Sequence, residues 1–350
     1  MQKSRFSIFH LLTIVALNNL LVFFIFREIT AKTNQNFPSS QSTDGPSGLY
    51  HQNNASCSYK ITRLNGFKLI HPLMYAEPEN ESAELIPVKE AVESRISLLK
   101  SSGIIKSASV YLRMFGKGEW MNIDNGDKYS PGSLLKVPEM ITIMKMKEID
   151  PDFLDHRIAF SEKTVSRKIP TFLSKSIEFG KTYTVKELLK YMIVYSDNNA
   201  TGLLNHLIDF NIFKKVFTDL GLPEPDLTNG DYKMNAKEYS LFMKVLYNGS
   251  YLTSNDSEFC TELLSQSDFN KGIKAGVPAN CIVANKFGEG GDMSTKSYDL
   301  SESGLIENNN ITYLLTIMTE GYDMKSLVPV LRDISQVVYN QLQICYKADN

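Results

Sequence analysis

Histidine is scarce in this chain and nowhere clustered. The five histidines (His10, His51, His71, His156 and His206) are scattered singly, which argues against a histidine-based triad and a zinc site. No Cys/His metal spacing, no glycine-rich phosphate loop and no G-x-S-x-G elbow is present. A net charge of −2 leaves no basic footprint, so nucleic acid is not an expected partner. There is no internal repeat.

What is present is an ordinary globular composition, with 43% hydrophobic and 22% charged residues in 350. That length allows one large domain or two small ones. Ser7 to Phe26 is a nearly continuous apolar run, interrupted by His10, Thr13 and the pair Asn18-Asn19. It follows Lys3 and Arg5, a bias that predicts the N-terminus inside the cell and the rest of the chain exported. Its length fits a membrane span, and no A-x-A site follows it. Residues 1–32 therefore read as a signal anchor holding the protein to the membrane, with a cleaved signal peptide and secretion as the alternative. Residues 33–56 are rich in Ser, Asn, Gln, Gly and Pro and read as a flexible tether, so ordered structure is expected over 57–350. Export makes disulfides possible among Cys57, Cys260, Cys281 and Cys345. Cys260 and Cys281 are closest in sequence and are the first candidate pair; the alternative is four free thiols in a core.

The chain is organised around Ser130-Pro131-Gly132-Ser133-Leu134-Leu135-Lys136. A Pro-Gly turn delivers Ser133 onto the start of an apolar helix, and residues three apart share a helix face, so Ser133 and Lys136 can meet. Burial lowers an ammonium pKa, which lets a lysine take a serine proton, and a helix N-terminus favours the negative charge that develops. Ser97-Leu98-Leu99-Lys100 has the same four letters. It lies inside an amphipathic helix striped by Leu85, Val88, Val92, Ile96 and Leu99, with no turn before it, and Ser97 reads as a surface residue.

The stripe helix spans about Ala83 to Ser101. Ala108–Met114 alternates as a strand and turns at Gly116-Lys117-Gly118 into Glu119–Asp124. The nucleophile helix, about Ser133 to Lys147, is apolar nearly all round, which predicts that it is buried. From about 150 to 267 the pattern is helical: a capping box at Thr184-x-x-Glu187 opens Val185 to Tyr195, Asn199–Asp209 follows, then Ala236–Tyr247. Strands return at Ile282–Phe287, Ser297–Glu307 and Ile311–Glu320, the last two joined by Asn308-Asn309-Asn310, and a helix through Leu327 to Val338 closes the chain. The expected fold is α/β in the α+β sense: a five-stranded antiparallel sheet flanked by helices, with an all-helical subdomain inserted at about 150–267.

Two further stretches join Ser133-x-x-Lys136. Ser196-Asp197-Asn198 falls between two helices and, taken alone, reads as a helix cap. Lys286-Phe287-Gly288 lies on the first strand after the insertion, where glycine admits a close backbone approach; alone, Lys286 reads as a solvated strand residue. In this order and on these elements the three resemble the S-x-x-K, S-D-N and K-T-G set of class A β-lactamases and penicillin-binding D,D-peptidases. The resemblance covers about Ala83 to Gln341 and departs at Phe287, where the family usually has a small hydroxyl residue that helps to hold the substrate carboxylate.

The resemblance implies that Ser133 attacks a carbonyl to form an acyl-enzyme and that Lys136 takes its proton. Ser196 would relay a proton to the leaving nitrogen, Asn198 would bind the acylamino side chain, and Lys286 would face the substrate carboxylate. Backbone N–H groups of Ser133 and of Glu289, after Gly288, would hold the oxyanion. No metal or organic cofactor is implied. The family's deacylating glutamate has no clear counterpart: Glu224, in Glu224-Pro225-Asp226-Leu227, is the nearest in letters but reads more readily as part of a surface turn stiffened by Pro223 and Pro225, and Asp226 and Asp231 have weaker claims. The expected function is a monomeric serine hydrolase that opens β-lactam amides. The alternatives are a D,D-peptidase acting on peptidoglycan peptides and a penicillin-binding sensor without turnover.

Overall fold

Two buried layers, one on each face of a sheet, follow from the alternation of strand side chains. The computed structural model describes residues 58–161, 171–226, 232–292, 296–308 and 311–346. The expected anchor and tether, Cys57, Asp231 and the Asn309-Asn310 part of the last turn lie outside the described residues.

In chain order, β1 (Tyr59–Arg63) pairs with β2 (Leu73–Pro78) in a ribbon the sequence pattern did not reveal. α1 (Ile86–Ser101) is the stripe helix and buries Val88, Val92, Ile96 and Leu99. β3 (Ile105–Met114) and β4 (Trp120–Ile123) form the expected hairpin. A 3₁₀ turn, Gly132–Leu135, leads into α2 (Lys136–Ile149). The insertion carries β5 (Arg157–Ala159), β6 (Thr182–Thr184), α3 (Val185–Val194), α4 (Asn198–Asn205), α5 (Phe210–Asp219), α6 (Ala236–Asn248) and α7 (Ser254–Ser265). β7 (Ile282–Asp292), β8 (Ser297–Asn308), β9 (Ile311–Gly321) and α8 (Met324–Tyr346) complete the chain.

The main sheet has five antiparallel strands in the order β4-β3-β9-β8-β7, as expected, which leaves β7 at an edge. On one face Val110, Leu112, Leu315, Ile317 and Phe287 pack with residues of α1 and α8. On the other face Tyr111, Leu314, Met318 and Ala284 pack against the inserted helices. α2 is buried in that second layer, with Val137, Met140, Ile141, Ile143 and Met144 all within it, as its apolar circumference required.

Three expectations are corrected. The insertion is not all-helical: Arg157–Ala159 ladders with Thr182–Thr184, three residues a side, too few for an alternating pattern to show. The helix expected over Asn199–Asp209 stops at Asn205, and Asp209 caps a separate helix, its side chain accepting from the Asn211 N–H at 2.8 Å. Cys260 and Cys281 are free thiols, because they belong to different layers of the core; Cys345 is also free. The capping box at Thr184 and Glu187 forms with both of its hydrogen bonds. Among the described residues no helix is long and apolar enough to cross a membrane.

Candidate active site

Backbone packing sets the elbow before the nucleophile. Gly132 has φ +52, in the left-handed region, and a β-carbon there would overlap the Glu289 carbonyl. One at Gly288 would overlap the Pro131 carbonyl, and one at Gly290 would lie 2.7 Å from that of Ser130. The turn Ser130–Gly132 thus lies directly on edge strand β7, with only glycines at the crossing points. Two side chains fix it: Asp299 on β8 accepts the Ser130 N–H at 2.9 Å, and the Tyr239 hydroxyl donates to the Leu134 carbonyl at 3.0 Å.

Ser133 emerges half-buried from this elbow into a cavity of 230 Å³ whose wall includes Lys136, Glu139, Asn198, Thr201 and Glu289. Lys136 is 3% exposed and donates to the Ser196 carbonyl at 2.7 Å, to Ser196 Oγ at 3.2 Å and to Asn198 Oδ1 at 2.8 Å. Lys286, fully buried, donates to Ser196 Oγ at 2.9 Å and to the Phe287 carbonyl at 2.9 Å. Ser196 therefore stands between two lysines, with φ +56, a left-handed backbone that a serine rarely adopts. Its oxygen can accept from both amines, which leaves its own proton to donate elsewhere.

Burial sets the electrostatics. It pushes the Lys136 amine down to about 8, against the opposing pull of Glu139, Asp197 and Glu289. Lys286 is driven far below the ordinary lysine value, first by burial and then by the charge of Lys136. Glu139 is pushed up to about 7 by burial, opposed by Lys136.

The cap and site readings of Ser196-Asp197-Asn198 divide between residues. Asp197 is the N-cap of α4, accepting the Asn199 N–H at 2.9 Å, and it also accepts from Ser176 Oγ at 2.9 Å and the Ile177 N–H at 2.8 Å. Ser196 and Asn198 turn to Lys136 instead. Phe287, whose neighbours on β7 face the helical layer, packs into the opposite layer against Phe269, ring centroids 4.3 Å apart, and edge-on to Phe172. The side chain of Glu289 accepts the Thr171 and Phe172 N–H groups at 2.8 and 3.1 Å, holding that segment beside the cavity.

Glu224 is exposed and ion-paired to Lys214 at 2.7 Å, and it is not part of the Ser133 cavity wall. Glu139 is, and sequence reading passed over it. The signal was there: Ser133, Lys136 and Glu139 are spaced by three on one helix, and Glu139 interrupts an otherwise apolar run. Among the described residues no group of three or more His, Cys, Asp or Glu side chains is placed to hold a metal ion.

A half-buried serine after a glycine elbow, a buried amine of lowered pKa on the same cavity wall and a second hydroxyl between two lysines are groups that serine acyl transfer calls for. The chain belongs to the beta-lactamase enzyme family, whose model matches residues 90–342. It is similar to the β-lactamase VEB-1 of Pseudomonas aeruginosa, at 20% identity over 67% of this chain and 86% of that one. Among solved structures, PBP-A overlays with a TM-score of 0.63 at 17% identity, covering 76% of this chain and 99% of PBP-A. A class A β-lactamase from Mycobacterium abscessus overlays at 0.61 with 20% identity, covering 72% and 99%. At these identities the overlays establish the shared fold.

Proposed function

We propose that the protein hydrolyses β-lactam amides through an acyl-enzyme on Ser133. The observation that carries this reading is the double anchorage of Ser196 Oγ by Lys136 and Lys286, which joins all three motifs in one hydrogen-bonded set. Lys136, held near neutrality by burial, takes the Ser133 proton as Oγ bonds to the lactam carbonyl. The C–N bond then breaks, and Ser196 passes a proton to the nitrogen. The backbone N–H groups of Ser133 and Glu289 stabilise the oxyanion, where losing one such donor costs about 100-fold to 1,000-fold in rate. Asn198, already bound to Lys136, presents its amide beside the scissile bond to the acylamino group. Lys286, shut off behind Ser196, orients that hydroxyl through its hydrogen bond. The apolar run after Lys3 and Arg5 supports a catalytic domain tethered on the exported face of the membrane.

The position of Glu224, ion-paired on the surface, favours one second reading, a D,D-peptidase that releases its acyl group slowly. The purified protein mixed with a chromogenic β-lactam separates the two. Sustained colour release with a short-lived mass increase is expected. A stable adduct after one burst would favour the peptidase, and no adduct at all would overturn the penicillin-recognising site.

A further inference from the structure

The carboxylates around Ser133 differ in how far they are already committed. Glu289 is tied to the Thr171 and Phe172 N–H groups, Asp197 caps α4 and holds Ser176, and Glu224 pairs with Lys214. Glu139 is the exception. The Asn205 side chain hydrogen-bonds its carboxyl, yet Oε2 is buried and has no hydrogen-bond partner among the described residues. A buried, unsatisfied oxygen at a cavity wall is a place for a bound water. Glu139 also stands between two cavities: the one that holds Ser133, and a neighbour of 370 Å³ walled by Ile208, Phe210, Phe213 and Phe217. Among the described residues no other that borders both carries a carboxylate.

We propose that Glu139 is the base that hydrolyses the acyl-enzyme, acting from the nucleophile's own helix rather than from a separate loop. The inference rests on the acyl-enzyme reading above. Glu139 removes a proton from water as the water oxygen bonds to the acyl carbonyl carbon. The tetrahedral intermediate then breaks its bond to Ser133 Oγ, and the proton held by Glu139 returns to that oxygen through Lys136. A carboxylic acid leaves and the enzyme is restored. Burial that brings the carboxyl to about 7 suits a base working near neutrality.

The alternative is that Glu139 is a positioning residue, a counter-charge that keeps Lys136 in place. Glu139→Gln separates the two, because it keeps the shape and removes the base. The acylation and deacylation rates of the full-length protein would be followed by intact mass with a chromogenic β-lactam. The expected result is acylation within about threefold of the parent and deacylation slowed by about 100-fold or more, so that the Ser133 adduct accumulates. Normal acylation also shows that the variant is folded. Glu139→Asp, which keeps a carboxylate but draws it back, should recover part of the deacylation rate, whereas Glu224→Ala should leave turnover unchanged. Equal loss of both steps in Glu139→Gln would overturn the proposal in favour of positioning, and unchanged turnover would overturn it outright. A parent protein that forms an adduct but never releases it would also overturn it while leaving the acyl-enzyme reading intact. A parent that forms no adduct would remove both.

Discussion

Ser97-Leu98-Leu99-Lys100 and Ser133-Leu134-Leu135-Lys136 are the same four residues in two settings. In α1, Ser97, Leu98 and Lys100 face solvent, Leu98 being 61% exposed, and only Leu99 enters the core. In the second copy Leu134 is fully buried and Lys136 is 3% exposed, while Ser133 and Lys136 share the wall of a cavity. The difference lies in what surrounds the letters. Ile96 precedes Ser97 and continues a helix, whereas Gly132 precedes Ser133 in a left-handed turn pressed against β7. Lys136 is set apart because the fold buries it beside the Ser196 hydroxyl and, among the described residues, leaves it without a carboxylate on its amine. Lys244 makes the same point from the other side: burial brings it to about 8 as well, but Glu77 accepts from it at 2.8 Å and occupies it.

Removing the two hydroxyls tests that contrast most severely. Ser133→Ala should abolish covalent labelling by a β-lactam, and Ser97→Ala should label at the parent rate. Intact mass after a few minutes of exposure reads both. Labelling that survives in Ser133→Ala and disappears in Ser97→Ala would put the nucleophile on the wrong helix.

A smaller effect is expected where the elbow crosses β7. Gly288→Ala places a methyl group against the Pro131 carbonyl and within 2.8 Å of the Leu134 N–H, both backbone atoms that cannot rotate away. Overpacking of this kind costs about 1–3 kcal/mol, and the shift it forces moves the serine as well. Thermal melting and labelling rate should therefore fall together. Gly116→Ala, in the β3–β4 turn with open space around it, should change neither. A Gly288→Ala protein that melts and labels as the parent does would mean the elbow is not held by β7.

Most of this arrangement was legible in the sequence, for physical reasons. Stripes of 3.6 and alternations of 2 gave α1, the β3–β4 hairpin, the three returning strands and the buried helix after Ser133. The Pro-Gly turn told the two serine motifs apart. Other features carry no local signal. β5 and β6 are too short to alternate visibly, and the separation of Cys260 from Cys281 by a sheet is a property of topology. Glu139 is the instructive omission: one acidic residue in an apolar helix reads as an exposed interruption, and only the approach of α4 and β7 turns its position into a cavity wall. The direction of Phe287 is another consequence of strand alternation, since its neighbours Lys286 and Gly288 must face the opposite layer.

The mildest test of the contrast is pH. Lys100 is exposed, whereas Lys136 is buried, and burial brings its amine down to about 8. Acylation needs the neutral amine of Lys136, and its rate should rise roughly tenfold per pH unit below that point and level off above it. Stability follows the same group with a definite sign. Between about 8 and the ordinary lysine value of 10.5 the unfolded chain holds a proton that the folded chain has released, so Lys136 makes the protein more stable as pH rises through that window. A single-turnover labelling series from about pH 6 to pH 9, with Ser97→Ala run alongside, should give one profile for both proteins. A flat profile would mean that another group takes the Ser133 proton. An unaltered profile in Lys136→Arg, whose guanidinium stays charged throughout, would show the same thing more directly.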